Sequence, residues 1–245
     1  MRLITLAEPL KEGIEDFGSF KAVFMAGSPG SGKSTVRSEL FGGLGLKVVD
    51  ADEIRGAYLK MGKAGDYDVF GDVVRRQRQS YMDQRLGIIM DTTAWWLPGV
   101  RSTTEQLREL GYDVGMVHVF TPLHVALERV RRRAAATGRE VPEDEVVKRF
   151  EGLKHNIGQY TEMFGDNYWF VDNSSSRPRT DPVKRDITRW LRSQPINPRA
   201  REWISQQRAA KRAPPLEPSS SLSLQDSDDL QPRANRSSLE PNTLP

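Results

Sequence analysis

The chain has 245 residues, with 36 Lys/Arg against 33 Asp/Glu for a formal charge of +3, and its 37% hydrophobic content suffices for one sizeable core. The lack of cysteine excludes disulfides, thiolate zinc sites and a cysteine nucleophile, and no run approaches the ~18 apolar residues of a membrane span. Acidic and basic residues from Glu8 to Asp16 interrupt any signal-like start, and His118, His124 and His155 show no metal-ligand spacing, so a soluble cytoplasmic protein is expected.

In chain order, residues 1–19 read as a lead-in. Residues 22–26 follow as a buried strand, and directly after it Gly27-Ser28-Pro29-Gly30-Ser31-Gly32-Lys33-Ser34 fits the phosphate-binding loop G-x-x-x-x-G-K-[ST] in full. Glycines let successive N–H groups converge on phosphate, Lys33 neutralises the terminal phosphates, and the Ser34 hydroxyl suits the Mg²⁺ shell. Thr35 continues into the helix whose positive end faces the anion.

Further strands are expected at 46–50, 86–91, 114–120 and 168–172, alternating with helices, which predicts a three-layer α/β fold with a five-stranded parallel sheet. A helix over 53–60 follows the second strand. Residues 56–85 form an insert whose Arg75, Arg76, Arg78 and Arg85 suit a phosphate-bearing acceptor. Trp95 and Trp96 fall in a loop closed by Pro98-Gly99, where large aromatics can stack a base. A capping box, Ser102 with Glu105, is expected to start the next helix, with Leu107 and Leu110 inward and Gly111 at its end. After Thr121-Pro122, Leu123, Ala126, Leu127 and Val130 form an apolar stripe opposite Arg129, Arg132 and Arg133. After Pro142, Val146, Val147, Phe150 and Leu153 are expected to face inward.

The charge is unevenly spread. Residues 184–212 hold nine Lys/Arg and two Asp/Glu, a local +7, so residues 181–212 read as a basic helical extension suited to a nucleic-acid backbone. Residues 213–245, with six Pro and seven Ser, read as a disordered tail.

Ligands of open α/β sheets bind beyond the carboxyl ends of the strands, where polar residues collect here: Asp50-Ala51-Asp52-Glu53-Ile54-Arg55, Asp91-Thr92-Thr93 and Asp172-Asn173-Ser174. Phosphoryl transfer to a hydroxyl needs a base, a metal and cations around the migrating group. Asp52 is the candidate base, with Asp50 able to exchange roles and plain helix capping as the competing reading of Asp52. Ser34 and Asp91 are the candidate Mg²⁺ residues, and Arg129 and Arg133 the candidates for transition-state charge.

Roughly residues 20–175, within the catalytic domain expected at 20–180, resemble the P-loop kinases grouped around phage polynucleotide kinase and the zeta-toxin family. Asp52 and Arg55 match the family's Asp-x-x-Arg element, which implies a base and a substrate-phosphate contact. Asp91-Thr92 matches the end of its third strand. Arg129, Arg133 and Val141-Pro142 match its lid pattern, although a longer lid brings Arg131, Arg132 and Arg139 into the same region. The whole run looks most like phage 5-hydroxymethyluracil DNA kinases. That resemblance implies ATP with Mg²⁺, duplex DNA as partner, phosphorylation of the base hydroxymethyl group, and a step of thymidine hypermodification that evades restriction. The alternatives are a zeta-toxin-like kinase of a nucleotide sugar, a polynucleotide 5′-hydroxyl kinase, and an ATP-dependent DNA-binding accessory protein.

Overall fold

The computed structural model describes residues 18–60, 67–138, 140–175 and 177–212. The expected lead-in, apart from its last two residues, and the expected disordered tail lie outside them, as does Arg139.

Five parallel strands, β1 (Lys21–Ala26), β2 (Lys47–Asp50), β3 (Ile88–Asp91), β4 (Asp113–Phe120) and β5 (Tyr168–Asp172), stand in the order β2-β3-β1-β4-β5. The register sets Met25 beside Asp91, and Asp91 beside Asp50, so three strand ends meet at one level. Every residue of central β1 is buried. A strand buried on both faces reads as a continuous apolar run, which is why it was legible in sequence.

Side-chain alternation divides the core in two. Phe24, Met90, Val114 and Met116 face Leu107 of α4 (Leu97–Glu109) and Leu153, Tyr160 and Phe164 of α6 (Glu143–Phe164). Val23, Met25, Ile89 and Val119 face Val36 and Leu40 of α1 (Lys33–Phe41) and Ile187 and Leu191 of α7 (Asp181–Arg192). Helices α2 (Ala51–Lys60) and α3 (Tyr67–Asp83) form the insert after β2, α5 (Leu123–Thr137) follows β4, and α8 (Pro198–Arg212) ends the described chain.

Two local expectations are corrected. Helix α4 begins at Leu97, with Pro98 in its first turn, so Ser102 lies inside the helix and Pro98-Gly99 opens a helix where a loop closure was expected. Proline's fixed φ and missing N–H suit a first turn, where no intrahelical partner is needed. Val147 is 38% exposed; Val146 and Leu153 carry that stripe inward, continued by Asn156 and Tyr160.

The basic extension is helical as expected, and its inner face packs against the domain. Ile187 and Leu191 are core residues, Trp190 meets Trp169 edge-on at 5.2 Å, and Trp203 meets Phe20 at 5.4 Å. A buried ion pair reinforces the join: Lys21 Nζ lies 2.6 Å from Asp113, donates to Ser193 Oγ at 3.0 Å and sits 5.0 Å from the Trp190 ring. Asp113 also accepts from the Ile196 N–H. The amphipathic pattern of α7 explains this: its apolar stripe docks while Lys184, Arg185, Arg189 and Arg192 stay exposed.

Candidate active site

The loop Gly27–Ser34 joins β1 to α1 and is braced from two sides. The Ser31 carbonyl accepts from Asn173 Nδ2 at 2.7 Å and from Thr121 Oγ1 at 3.0 Å, tying it to the ends of β5 and β4. Gly30 and Gly32 have φ of 82° and 85°, and a Cβ on them would fall 2.3 Å from the Ala126 carbonyl oxygen and 2.2 Å from Asn173 Nδ2. Only glycine combines that left-handed backbone with so close an approach. Pro29 directly precedes Gly30. Lys33 Nζ donates to the Gly27 carbonyl at 2.8 Å and lies 3.4 Å from that of Ser28. Ser34 and Thr35 are exposed in the first turn of α1, and the Thr35 N–H bonds the Gly32 carbonyl.

Around Lys33 the structure gathers a cluster of charge. Burial lowers the lysine's pKa, while the carboxylates of Asp91, Asp52 and Asp50 raise it and Arg133 lowers it. Asp52 is therefore electrostatically coupled to Lys33 from the exposed first turn of α2, with Arg55 one turn further on. Asp50 is the residue that caps α2: its Oδ1 accepts from the N–H groups of Asp52 at 2.8 Å and Glu53 at 3.3 Å. That occupies Asp50 and leaves the capping reading of Asp52 without support.

Asp91, with a side chain only 8% exposed, has its carboxyl pushed up to about 6 by burial; Lys33 and Arg37 oppose the rise, while Asp50 and Asp52 add to it. Surplus negative charge in a half-dry place is what a divalent cation relieves, so Asp91 with the Ser34 hydroxyl fits Mg²⁺. Among the described residues no three His, Cys, Asp or Glu form a closed metal cage. Mg²⁺ completes its shell with water and phosphate oxygens, so two protein ligands suffice.

The two candidate arginines of α5 differ. Arg133 is half-buried and acts on Lys33, in keeping with a charge aimed at the terminal phosphate. Arg129 has its guanidinium engaged by the carbonyls of Asn173 at 3.1 Å and Ser175 at 3.0 Å, with Thr121 Oγ1 at 3.4 Å. In this arrangement Arg129 braces the strand ends that hold the loop. Arg131 pairs with Glu143 at 2.5 Å on the exposed side.

The tryptophans also separate. Trp95 is packed on α6: its carbonyl accepts from Asn156 at 2.9 Å, and Lys148 Nζ lies 5.1 Å from its ring. Trp96 is 58% exposed, its ring crossing the start of α4 so closely that a Cβ on Gly99 would lie 2.4 Å from it. Within the insert, Arg78 bonds Thr103 at 3.1 Å, Arg75 pairs with Asp72, and Arg85 donates to the Met82 carbonyl, so three of the four insert arginines have protein partners.

Arg37 was not singled out from sequence. It stands four residues after Lys33, on the same face of α1, and pairs with Asp50 at 3.3 Å, Asp91 at 3.0 Å and Glu53 at 2.7 Å. The spacing to Lys33 was the available signal. Below the loop, Ser28, His118, Phe120, Phe150, Leu153 and Ile157 border a cavity of about 310 Å³ between β4 and α6. There His118 Nδ1 lies 2.6 Å from the Tyr168 hydroxyl.

A phosphate loop at the carboxyl end of a parallel sheet, with Lys33 coupled to Asp50 and Asp91 at two strand ends and to Asp52 in α2, is a P-loop nucleotide-binding arrangement. The chain belongs to the Zeta toxin family, whose model matches residues 10–168. A curated relative, shikimate kinase of Halorhodospira halophila, is 30% identical over 113 residues, covering 44% of this chain and 62% of that enzyme; the chain thus spans less than two thirds of its length. Among solved structures, the fold resembles that of the PezAT toxin-antitoxin system of Streptococcus pneumoniae, with a TM-score of 0.52 at 15% identity over 80% of this chain and 89% of that one. It also resembles AvrRxo1-ORF1:-ORF2 with ATP, at 0.54 and 14% over 65% and 56%. The Pnkp1/Rnl/Hen1 RNA repair complex gives 0.50 and 19% over 63% and 49%. The family and the loop imply ATP with Mg²⁺.

Proposed function

We propose that this kinase phosphorylates a hydroxyl carried by DNA, most specifically the 5-hydroxymethyl group of 5-hydroxymethyluracil, as a step toward hypermodified thymidine that protects the DNA from restriction. The observation that supports the transfer is the carboxylate of Asp52 in the exposed first turn of α2, whose charge acts on Lys33 against the lowering of its pKa by burial. Asp52 takes the proton of the acceptor hydroxyl as its oxygen bonds the γ-phosphorus and the bond to ADP breaks. Lys33 and Arg133 hold the charge of the migrating group. Ser34 and Asp91 would hold Mg²⁺, which would supply positive charge against the triphosphate.

Support for a DNA acceptor comes from outside the family match, which ends at residue 168. Exposed Lys184, Arg185, Arg189 and Arg192 line α7, which runs from the loop end of the sheet toward its foot. Such a stripe can track a phosphate backbone, and exposed Trp96 beside the β3 end can stack a base. A second reading, a kinase of a small nucleotide-sugar acceptor, is favoured by the family match itself, which contains the whole site without α7.

Labelled ATP, Mg²⁺ and duplex DNA with or without 5-hydroxymethyluracil decide between them. Label is expected in the modified duplex alone. Label only at free 5′ ends, or only in a nucleotide sugar, overturns the proposal.

A further inference from the structure

None of the side chains of α2 from residue 51 to 58 is buried, although this helix carries the candidate base. A helix without a core anchor must be held by its ends. At its far end the Tyr58 ring meets Phe70 of α3 edge-on at 5.3 Å. At its near end the attachment runs through a chain of polar contacts: Arg37 bonds Asp50, and the other oxygen of Asp50 receives the N–H groups of Asp52 and Glu53. Arg37 bonds Glu53 directly as well. The same guanidinium reaches Asp91 at the end of the neighbouring strand.

We infer that Arg37 is a positioning residue, a clasp that fixes the first turn of α2 to the phosphate-loop helix and so sets where Asp52 stands. The side chain is 15% exposed and both of its terminal nitrogens bond carboxylates, which ties the guanidinium to the protein's own acids. A planar fork suits this task because it can meet several carboxylates at once, whereas an ammonium offers a single point of charge. The clasp also joins donor and acceptor sides: α1 begins at Lys33, and α2 follows directly on β2. Misplacing a reacting group by about 1 Å can cost on the order of a hundredfold in rate.

The inference rests on the kinase reading for its kinetic arm only. In the full-length protein, Arg37→Met is expected to speed amide exchange over residues 51–58 while exchange over β1 and α1 stays as in the wild type. With ATP and the accepted DNA, kcat is expected to fall by at least about tenfold with the KM for ATP changed less than about threefold. Arg37→Lys, which keeps a charge, should fall between the two. Asp50→Asn, which keeps a good cap but loses the ion pair, should reproduce the exchange phenotype. Unchanged exchange in both Arg37→Met and Asp50→Asn overturns the clasp, as does a raised KM for ATP with intact kcat, which would make Arg37 a phosphate contact. Wild-type protein that labels no DNA defeats the proposed function alone; the exchange arm still decides the role of Arg37.

Discussion

The donor and acceptor sides of this site are built by opposite means. The phosphate loop hangs from a fully buried strand and is pinned by Thr121, Asn173 and the close approaches at Gly30 and Gly32. Helix α2, which follows directly on β2, has no buried side chain over 51–58 and is held by ion pairs and caps. A triphosphate presents the same geometry in every kinase, so its cradle benefits from rigidity. Acceptors differ between kinases, and a polar attachment can be changed without disturbing the core.

The sharpest test of this contrast changes chemistry on the acceptor side alone. Asp52→Asn is expected to lower kcat by about 10²- to 10⁴-fold, the usual worth of a positioned base, while nucleotide affinity and thermal stability stay at wild-type levels. A parallel loss of nucleotide affinity would show that the two sides are not separable. The converse test falls at the foot of β1. Asp113→Ala leaves the Lys21 amine buried with only Ser193 and the Trp190 ring for company. Breaking a buried pair costs about 3–5 kcal/mol, to be read from urea unfolding, and replacing both partners by apolar residues should recover much of it.

The same contrast governs what could be read in the sequence. The loop and the strands were legible because each rests on a local rule: glycines at fixed spacing, or an apolar run of strand length. Asp50 and Asp52 were legible as acids just past the second strand, but which of them caps α2 was not, since the cap is made by an oxygen whose orientation the sequence does not encode. Arg37 stayed hidden because its partners lie 13, 16 and 54 residues away. The packing of α7 and α8 was missed because net charge drew attention to their outer faces, while Ile187, Leu191, Ala200 and Trp203 made the contacts that matter for the fold. The start of α4 was misplaced because a sequence-level capping box outweighed a proline in the first turn.

A smaller effect concerns pH. Burial pushes the His118 imidazole down to about 4, from an ordinary value near 6.5. The unfolded chain therefore binds a proton that the folded one refuses. This contribution is whole above about pH 6.5 and is lost as pH falls toward about 4, with a slope of up to about 1.4 kcal/mol per pH unit. His118→Gln, which keeps a partner for Tyr168, should flatten the fall of Tm across that window. An unaltered slope would assign acid sensitivity to other groups.

The smallest effect divides two neighbouring tryptophans. Trp95 is tied to α6 through its carbonyl and ring, so Trp95→Ala should lower Tm. Trp96 is 58% exposed and lies against the chain at Gly99, so its removal should leave Tm unchanged. An exposed aromatic beside the strand end that holds Asp91 gains its worth when a base stacks on it, about 1–3 kcal/mol per base. Trp96→Ala is therefore expected to weaken DNA affinity by about tenfold without altering ATP affinity. Because stacking is indifferent to salt while phosphate contacts are not, the Trp96 loss should persist from low to high salt. Neutralising Lys184, Arg185, Arg189 and Arg192 should instead flatten the salt dependence itself. If both sets of variants bind DNA as wild type does, the acceptor is not a polynucleotide, and the soft side of the site belongs to a small molecule.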